Sequence, residues 1–221
     1  MTETYYEGNF RAKKISEREA HFLGKWLMIL FWLVVPSTIA GILGNEKIVS
    51  DYGLWLTGNI IGIICSLVYG LILMKLSSAE ESYKTAGICL LVGAAGTFLG
   101  FILGLTMNQA ATALLVMIGL VNLVVGLYGT YAEFEAHSEV LKGLDDELSE
   151  KWLKLWKWYL WSLIGLISCI LLIFISLILG CILCICAVIG IIIVSILKLV
   201  YLYQTSAFFT EYRAPIDEYT M

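Results

Sequence analysis

Six cysteines and one acidic segment that contains a histidine are the residues of this sequence that could do chemistry. Cys181, Cys184 and Cys186 have the spacing C-x-x-C-x-C, and thiolates so spaced can bind a metal or form a disulfide. The run around them is apolar and has no nearby His or acidic residue, whereas structural zinc needs a second ligand pair. We therefore interpret these cysteines as small apolar side chains. A Cys181–Cys184 disulfide is an alternative if the adjoining turn opens to the outer side.

The acidic segment covers residues 133–139 and contains Glu133, Glu135, His137 and Glu139. Glu133 and His137 are four residues apart and so share one face of a helix. Such a group could hold a cation or tune the acid–base behaviour of the imidazole. Without a second histidine or a recognised ligand motif, we expect neither a metal site nor acid–base catalysis here.

The apolar parts of the chain lack the groups on which membrane chemistry depends. No Asp, Glu, Arg or His lies in the middle of an apolar segment, and Lys198 lies near the end of the last one, where it can snorkel. There is no metalloprotease motif, phosphate-binding loop or nucleophile elbow. We therefore expect no enzyme activity, no catalytic residue, no cofactor and no metal.

Composition identifies the elements that must position these residues. The chain has 221 residues, of which 60% are hydrophobic and 14% charged, against about 25% charged in soluble domains. This excludes a soluble enzyme, a basic nucleic-acid binder and a secreted disulfide scaffold. A membrane span needs about 20 apolar residues. The first two of the uncharged windows fit one helix each and the other two fit two each; the windows are 26–45, 52–74, 85–132 and 158–197.

The sequence therefore predicts an all-α, multi-pass integral membrane protein with six transmembrane helices in three helical hairpins. Turns are expected at residues 106–109 and near Gly180 and Cys181. Ser16 and Ser78, each followed three residues later by Glu, predict capping boxes before the first and third helices. The expected regions are an N-terminal segment (1–22), helices one to four (23–132), an amphipathic helix (133–157), helices five and six (158–203) and a C-terminal tail (204–221).

Basic residues predict the orientation, because cytoplasmic loops carry an excess of Lys and Arg. With six spans, all 14 basic residues except Lys47 fall on the side that holds both termini. We therefore expect a cell-membrane protein with cytoplasmic termini and minimal outer loops. A receptor for a large external ligand does not fit this arrangement.

The amphipathic helix is predicted from one apolar stripe: Leu141, Leu144, Leu148, Trp152, Leu155 and Tyr159. We expect it to lie along the inner leaflet, with docking to a protein partner as the alternative. An aromatic and basic collar should follow at the headgroup level. The collar comprises Lys151, Trp152, Lys154, Trp156, Lys157, Trp158 and Trp161.

Small residues inside the spans predict where helices touch. Glycines at four- and seven-residue intervals let backbones approach closely in lipid. Asn59 and Asn122 are amides well inside spans and should form interhelical hydrogen bonds rather than contact a substrate. The glycines expected at helix contacts are Gly58, Gly62, Gly96, Gly100, Gly104, Gly119 and Gly126.

Residues 138–212 resemble a pattern found in uncharacterised bacterial six-helix integral membrane proteins. The resemblance lies in Ser138–Gly143, the Trp-rich run Trp152–Ile167 and the closing run Tyr203–Tyr212. This chain carries additional residues, 144–151, after the Lys-Gly pair. The resemblance implies a six-helix fold in the bacterial inner membrane and carries no functional residue across.

Two functions from different classes fit the sequence. The first is a non-enzymatic scaffold or accessory subunit of a membrane complex, in contact with lipid and with a partner on the cytoplasmic face. The second is a small transporter, channel or lipid-moving protein that acts as an oligomer. Its polar path would be lined by Thr57, Asn59, Ser66, Thr97, Asn122, Ser162 and Ser168. A homo-oligomer is compatible with either, and nucleic acid is not an expected partner.

Overall fold

The computed structural model describes residues 15–45, 48, 51–105 and 109–213, of which 109 and 110 are described in backbone only. These residues form six helices and no strand, and each helix is long and apolar enough to cross a membrane. The prediction of an all-α fold with six such helices is confirmed. The helices are α1 (Glu17–Leu43), α2 (Tyr52–Leu76), α3 (Ser82–Gly104), α4 (Gln109–Leu141), α5 (Asp146–Ile175) and α6 (Leu177–Glu211).

The helices close into a ring. Each helix packs against the next one along the chain, and α1 packs against α6. The pairs α1–α2, α3–α4 and α5–α6 each pack together, as three hairpins would. Gly24 near the start of α1 lies against Thr210 near the end of α6, so the first and last helices close the ring side by side.

The helix starts show how far local sequence signals reach. Ser16 and Glu19 form the expected capping box at the start of α1, with both side chains bonded to backbone amides. The capping box expected at Ser78 is wrong. The Ser78 hydroxyl donates to the carbonyl of Lys75, and α3 begins at Ser82 without a side-chain cap. Consecutive turns over residues 77–81 replace it.

The segment expected to be a separate amphipathic helix is divided between two long helices. Residues 133–141 are the last turns of α4, and residues 146–157 are the first turns of α5. The break between them depends on Gly143, whose φ of 78° favours glycine, and on Asp145, which caps α5 by accepting from the amide of Leu148. A separate amphipathic helix is not confirmed.

The apolar window 158–197 divides at Ser176, four residues before Gly180. The cluster Cys181–Cys186 therefore lies on α6 alone, and the cysteines of the described residues are free thiols. The turn expected at 106–109 falls mostly on residues 106–108, outside the described part of the chain. The same is true of Lys47, residues 1–14 and residues 214–221.

The two ends of the ring are packed differently. We call the end at which α1, α3 and α5 begin the packed end, and the opposite end the open end. Large side chains such as Trp152, Tyr83, Phe134 and Phe209 are fully buried at the packed end. The packed end comprises residues 15–30, 65–87, 129–156 and 194–213; the open end comprises the other described residues.

Buried residues of the open end are all small. Among its described residues, only alanines, glycines and one cysteine are buried. Most of its large apolar side chains are exposed, as expected of helices surrounded by lipid. The buried residues of this end are Ala40, Gly58, Ala94, Ala111, Cys169, Gly180 and Ala187.

Candidate functional site: a buried charged cluster

A cluster of charged and hydrogen-bonding side chains occupies the interior of the packed end. Glu133 and His137, one turn apart on α4, both point inward and are buried. The two side chains point in the same direction because residues four apart share a helix face. The neighbouring helices supply the remaining members of the cluster: Tyr69 (α2), Tyr83 (α3), Trp152 (α5), Lys198 and Thr205 (α6).

The Glu133 carboxylate is at the centre of the cluster and is bonded through both oxygens. Lys198 donates from Nζ to Oε2 over 2.8 Å, and the Tyr69 hydroxyl donates to Oε1 over 2.5 Å. Taking two charges out of water is costly, and further hydrogen bonds are what make a buried pair tolerable. Tyr69 supplies such a bond. The pair thereby joins α4 to α6 and α2.

Lys198 points into the protein rather than out to the membrane surface. Its side chain is about one quarter exposed (27%), and its ammonium lies 5.6 Å from the ring centres of both Tyr69 and Phe134. Aromatic faces at this distance attract a cation. The snorkelling expected from the sequence is therefore replaced by an inward ion pair, because Glu133 lies at the same depth on the facing helix.

His137 has one satisfied and one unsatisfied ring nitrogen. Its Nδ1 lies 2.9 Å from the Tyr83 hydroxyl, and its ring stacks on Trp152 with centroids 4.4 Å apart. The Nε2 atom is buried without a hydrogen-bond partner, 3.7 Å from Oε1 of Glu133. We assign the proton of the neutral ring to Nε2, with Tyr83 donating to Nδ1. The other tautomer would direct a lone pair at the carboxylate.

Trp152 links the cluster to α6. Its indole nitrogen donates to the Thr205 hydroxyl over 3.1 Å, and that hydroxyl donates to the carbonyl of Tyr201 over 2.7 Å. A buried indole N–H normally requires such a partner. The sequence predicts Trp152 in the lipid-facing collar, but it is fully buried in the core.

Smaller polar contacts tie the remaining helices of the packed end together. The hydroxyls of Ser138 on α4 and Ser149 on α5 lie 2.8 Å apart, and Ser149 also donates to the Ser138 carbonyl. The Ser206 hydroxyl on α6 donates to the carbonyl of Gly24 on α1 over 2.8 Å. Together with the charged cluster, these bonds connect all six helices at one end of the ring.

The chemistry of the cluster is that of a buried charge pair with a histidine beside it. Among the described residues, no three His, Cys, Asp or Glu side chains converge as metal ligands would. Both Glu133 oxygens are occupied by bonds that join helices. The arrangement is therefore suited to holding the packed end in one geometry.

The rest of the expected collar divides by exposure. Trp156 is half-buried and packs against Tyr131 and Phe134, whereas Trp158 and Trp161 face outward, Trp161 with 72% of its surface exposed. The three lysines, 151, 154 and 157, lie toward the outside of α5. The apolar stripe Leu148, Trp152 and Leu155 packs into the core. The outward-facing residues of this segment therefore lie between the positions of the apolar stripe.

The glycines expected at helix contacts also divide. A side chain at Gly58 would collide with the backbone at the end of α1, and one at Gly96 would meet Asn122 on α4. Gly62 and Gly100 lie at ordinary contact distance from a neighbouring helix. The three others face open space, because a Cβ added there would have no neighbouring atom within 4 Å; they are Gly104, Gly119 and Gly126.

The two amides are both at helix contacts. Asn59 donates to the carbonyl of Gly44 at the end of α1 over 3.3 Å, and to Trp55 on its own helix over 2.9 Å. The Gly44 contact is the expected interhelical hydrogen bond. Asn122 lies against Gly96, at the contact between α4 and α3.

The sequence contains a usable signal for the pair Glu133 and Lys198, which the sequence reasoning missed. Each is the first charged residue after a long apolar window, and the fourth and sixth of six consecutive antiparallel helices run in the same direction. The two residues therefore lie at the same depth, where a carboxylate and an ammonium can pair. The roles of Tyr69 and Tyr83 have no comparable signal, because tyrosine is common at every membrane boundary.

No protein-family model, curated protein or solved structure matches this chain.

Proposed function

We propose that the protein is a non-enzymatic integral membrane protein, a scaffold or accessory subunit of a membrane complex. The observation that carries the proposal is the contrast between a packed end whose buried charge pair joins helices and an open end that presents apolar side chains. A scaffold needs a rigid base and a surface on which other membrane helices can pack. It does not need a polar route through the bilayer.

The tip of the α5–α6 hairpin is the surface that best fits a partner. Phe174 and Ile175 are 85% and 80% exposed, and Leu177 and Ile178 follow them across the turn. From residue 158 to residue 175, α5 spans about 27 Å, which brings this tip to the far boundary of a hydrocarbon layer about 30 Å thick. A tip without charges at that depth is suited to packing against transmembrane helices of another protein.

Orientation and location complete the proposal. The distribution of Lys and Arg supports cytoplasmic termini, so the packed end would lie at the cytoplasmic face. The resemblance of residues 138–212 to bacterial six-helix proteins supports a bacterial inner membrane. A partner could also engage the packed end from the cytoplasm, and a second copy could occupy the apolar tip.

Site-specific photo-crosslinking in native membranes tests the proposal. A photoreactive phenylalanine analogue at Phe174 should give one defined protein adduct, while the same analogue at Phe98 on α3 should give lipid adducts. Phe98 is a matched control, because it is also an outward-facing phenylalanine of the open end. Lipid adducts alone at Phe174 would contradict a partner at the tip.

A second candidate, a small transporter or lipid-moving protein, is favoured by one observation. A cleft of about 290 Å³ opens between α1, α2 and α3, and three residues of the expected polar path, Asn59, Ser66 and Thr97, line it together with Ser37. The hydroxyls of Ser66 and Thr97 donate to carbonyls of their own helices.

Purified protein in liposomes distinguishes the two candidates. Flux of small solutes or scrambling of labelled lipids above that of protein-free liposomes, abolished by filling the cleft with Thr97→Trp, would support transport. Equal rates with and without protein would leave the scaffold proposal.

A further inference from the structure

A second cavity lies between the first turns of α5 and the last part of α6. Its volume is about 290 Å³, and it is separate from the cleft of α1–α3 and from the charged cluster. Lys151, Lys154 and Trp158 line it from α5; Ile193, Leu197 and Tyr201 line it from α6. We call it the α5–α6 groove.

The groove is basic at one end and apolar at the other. Along α5 it runs from Lys151 to Trp158, about 10 Å at the rise of a helix. Along α6 it runs from Tyr201 down to Ile193 in the direction of the open end. The lysines and Tyr201 therefore lie at the outer end of the groove, and aliphatic side chains lie deeper, with Trp158 beside them. This is the polarity of a single phospholipid molecule.

The lysines are available to a ligand despite their present partners. Lys151 pairs with Glu147 over 2.7 Å and Lys154 pairs with Glu150 over 3.0 Å. Both carboxylates are mostly exposed and lie one turn farther from the membrane interior. Exposed ion pairs contribute little to stability, so turning the lysine stems toward a headgroup costs little.

We propose that the α5–α6 groove binds one anionic phospholipid, its phosphate at Lys151 and Lys154 and an acyl chain along Ile193 and Leu197. The two ammonium groups select a headgroup with net negative charge over a zwitterionic one. The aliphatic floor selects a lipid over free phosphate, which has nothing to place there. Tyr201 lies at the lysine end of the groove, where interfacial aromatics contact headgroups, and Trp158 lies beside the aliphatic floor.

The test uses full-length protein in nanodiscs that contain phosphatidylglycerol diluted in phosphatidylcholine, with lipids retained by the protein counted by native mass spectrometry. The double variant Lys151→Gln/Lys154→Gln removes the basic end. Its matched control, Lys84→Gln/Lys142→Gln, removes two exposed lysines from the same end of the molecule but outside the groove. Ile193→Trp fills the apolar floor and keeps both lysines. Circular dichroism checks that each variant is folded.

Wild-type protein should retain one phosphatidylglycerol in preference to phosphatidylcholine. The groove double variant should lose that preference by about tenfold or more, and Ile193→Trp should lose it as well. The control double variant should keep it. Equal loss in both double variants would mean unspecific surface charge and would overturn the proposal. So would full retention by Ile193→Trp, or displacement of the lipid by millimolar glycerol phosphate.

Discussion

The packed end and the open end of the ring are built from the same six helices but are held together by different interactions. At the packed end, an ion pair, a stacked histidine and large aromatic side chains fill the space between helices. At the open end, the residues buried between helices are alanine, glycine and cysteine, and most of the large side chains are exposed. The difference shows that one end is fixed by specific partners, whereas the other is fixed by close backbone approach.

The largest expected effect comes from breaking the charge pair of the packed end. Lys198→Met should lower the free energy of unfolding by about 3 to 5 kcal/mol, because it leaves the buried Glu133 carboxylate without its counter-charge. Lys142→Met, which removes an exposed partner of Glu139, should leave it nearly unchanged. Reversible unfolding in bicelles measures both. Equal effects would remove the distinction between buried and surface pairs.

Two tryptophans sharpen the same comparison. Trp152→Phe should cost about 1 to 3 kcal/mol, because it leaves the Thr205 hydroxyl without its indole partner and opens a small cavity in the core. Trp161→Phe, on the outward face of α5, should be close to neutral. Thermal unfolding of the two variants in the same detergent provides the measurement. A larger loss at Trp161 would contradict the assignment of core and surface.

Glycine substitutions test whether close backbone approach holds the open end. Gly58→Ala should destabilise the protein by about 1 to 3 kcal/mol, because the new Cβ would collide with backbone atoms of Leu43 and Gly44. Gly126→Ala has open space around it and should be neutral or stabilise by up to about 1 kcal/mol. Thermal unfolding would rank them, and a harmless Gly58→Ala would mean that α1 and α2 approach less closely.

The smallest effect is expected at the tip of the α5–α6 hairpin. Phe174→Ala should leave the free energy of unfolding unchanged within about 0.5 kcal/mol, because the side chain makes few contacts within the chain. In native membranes, a photoreactive residue at position 178 should form a protein adduct in the otherwise wild-type chain. Phe174→Ala should abolish that adduct. A strongly destabilised Phe174→Ala would place this side chain in the chain's own core.

The number and type of the helices could be predicted from the sequence, because charge-free windows of known length have few alternatives in a bilayer. The Ser16 capping box was also predictable, since its partners lie within one turn. The inward direction of Lys198 was missed, because a lysine near a helix end snorkels unless a carboxylate lies opposite, and the signal for such a carboxylate is the matching position of Glu133 after its own apolar window. The burial of Trp152 was not predictable for a similar reason: a Trp-rich helix start fits the lipid boundary, and only the packing of α4 and α6 shows which indole is covered.

The most direct test of the account is a double-mutant cycle on Glu133 and Lys198. Unfolding free energies would be measured for Glu133→Gln, Lys198→Met and the double variant, with Glu139→Gln and Lys142→Met as the exposed reference cycle. The two buried substitutions should show a coupling energy of about 2 kcal/mol or more, whereas the two exposed substitutions should be additive within the error of the measurement. Additive effects of the two buried substitutions would contradict a charge pair that fixes the packed end.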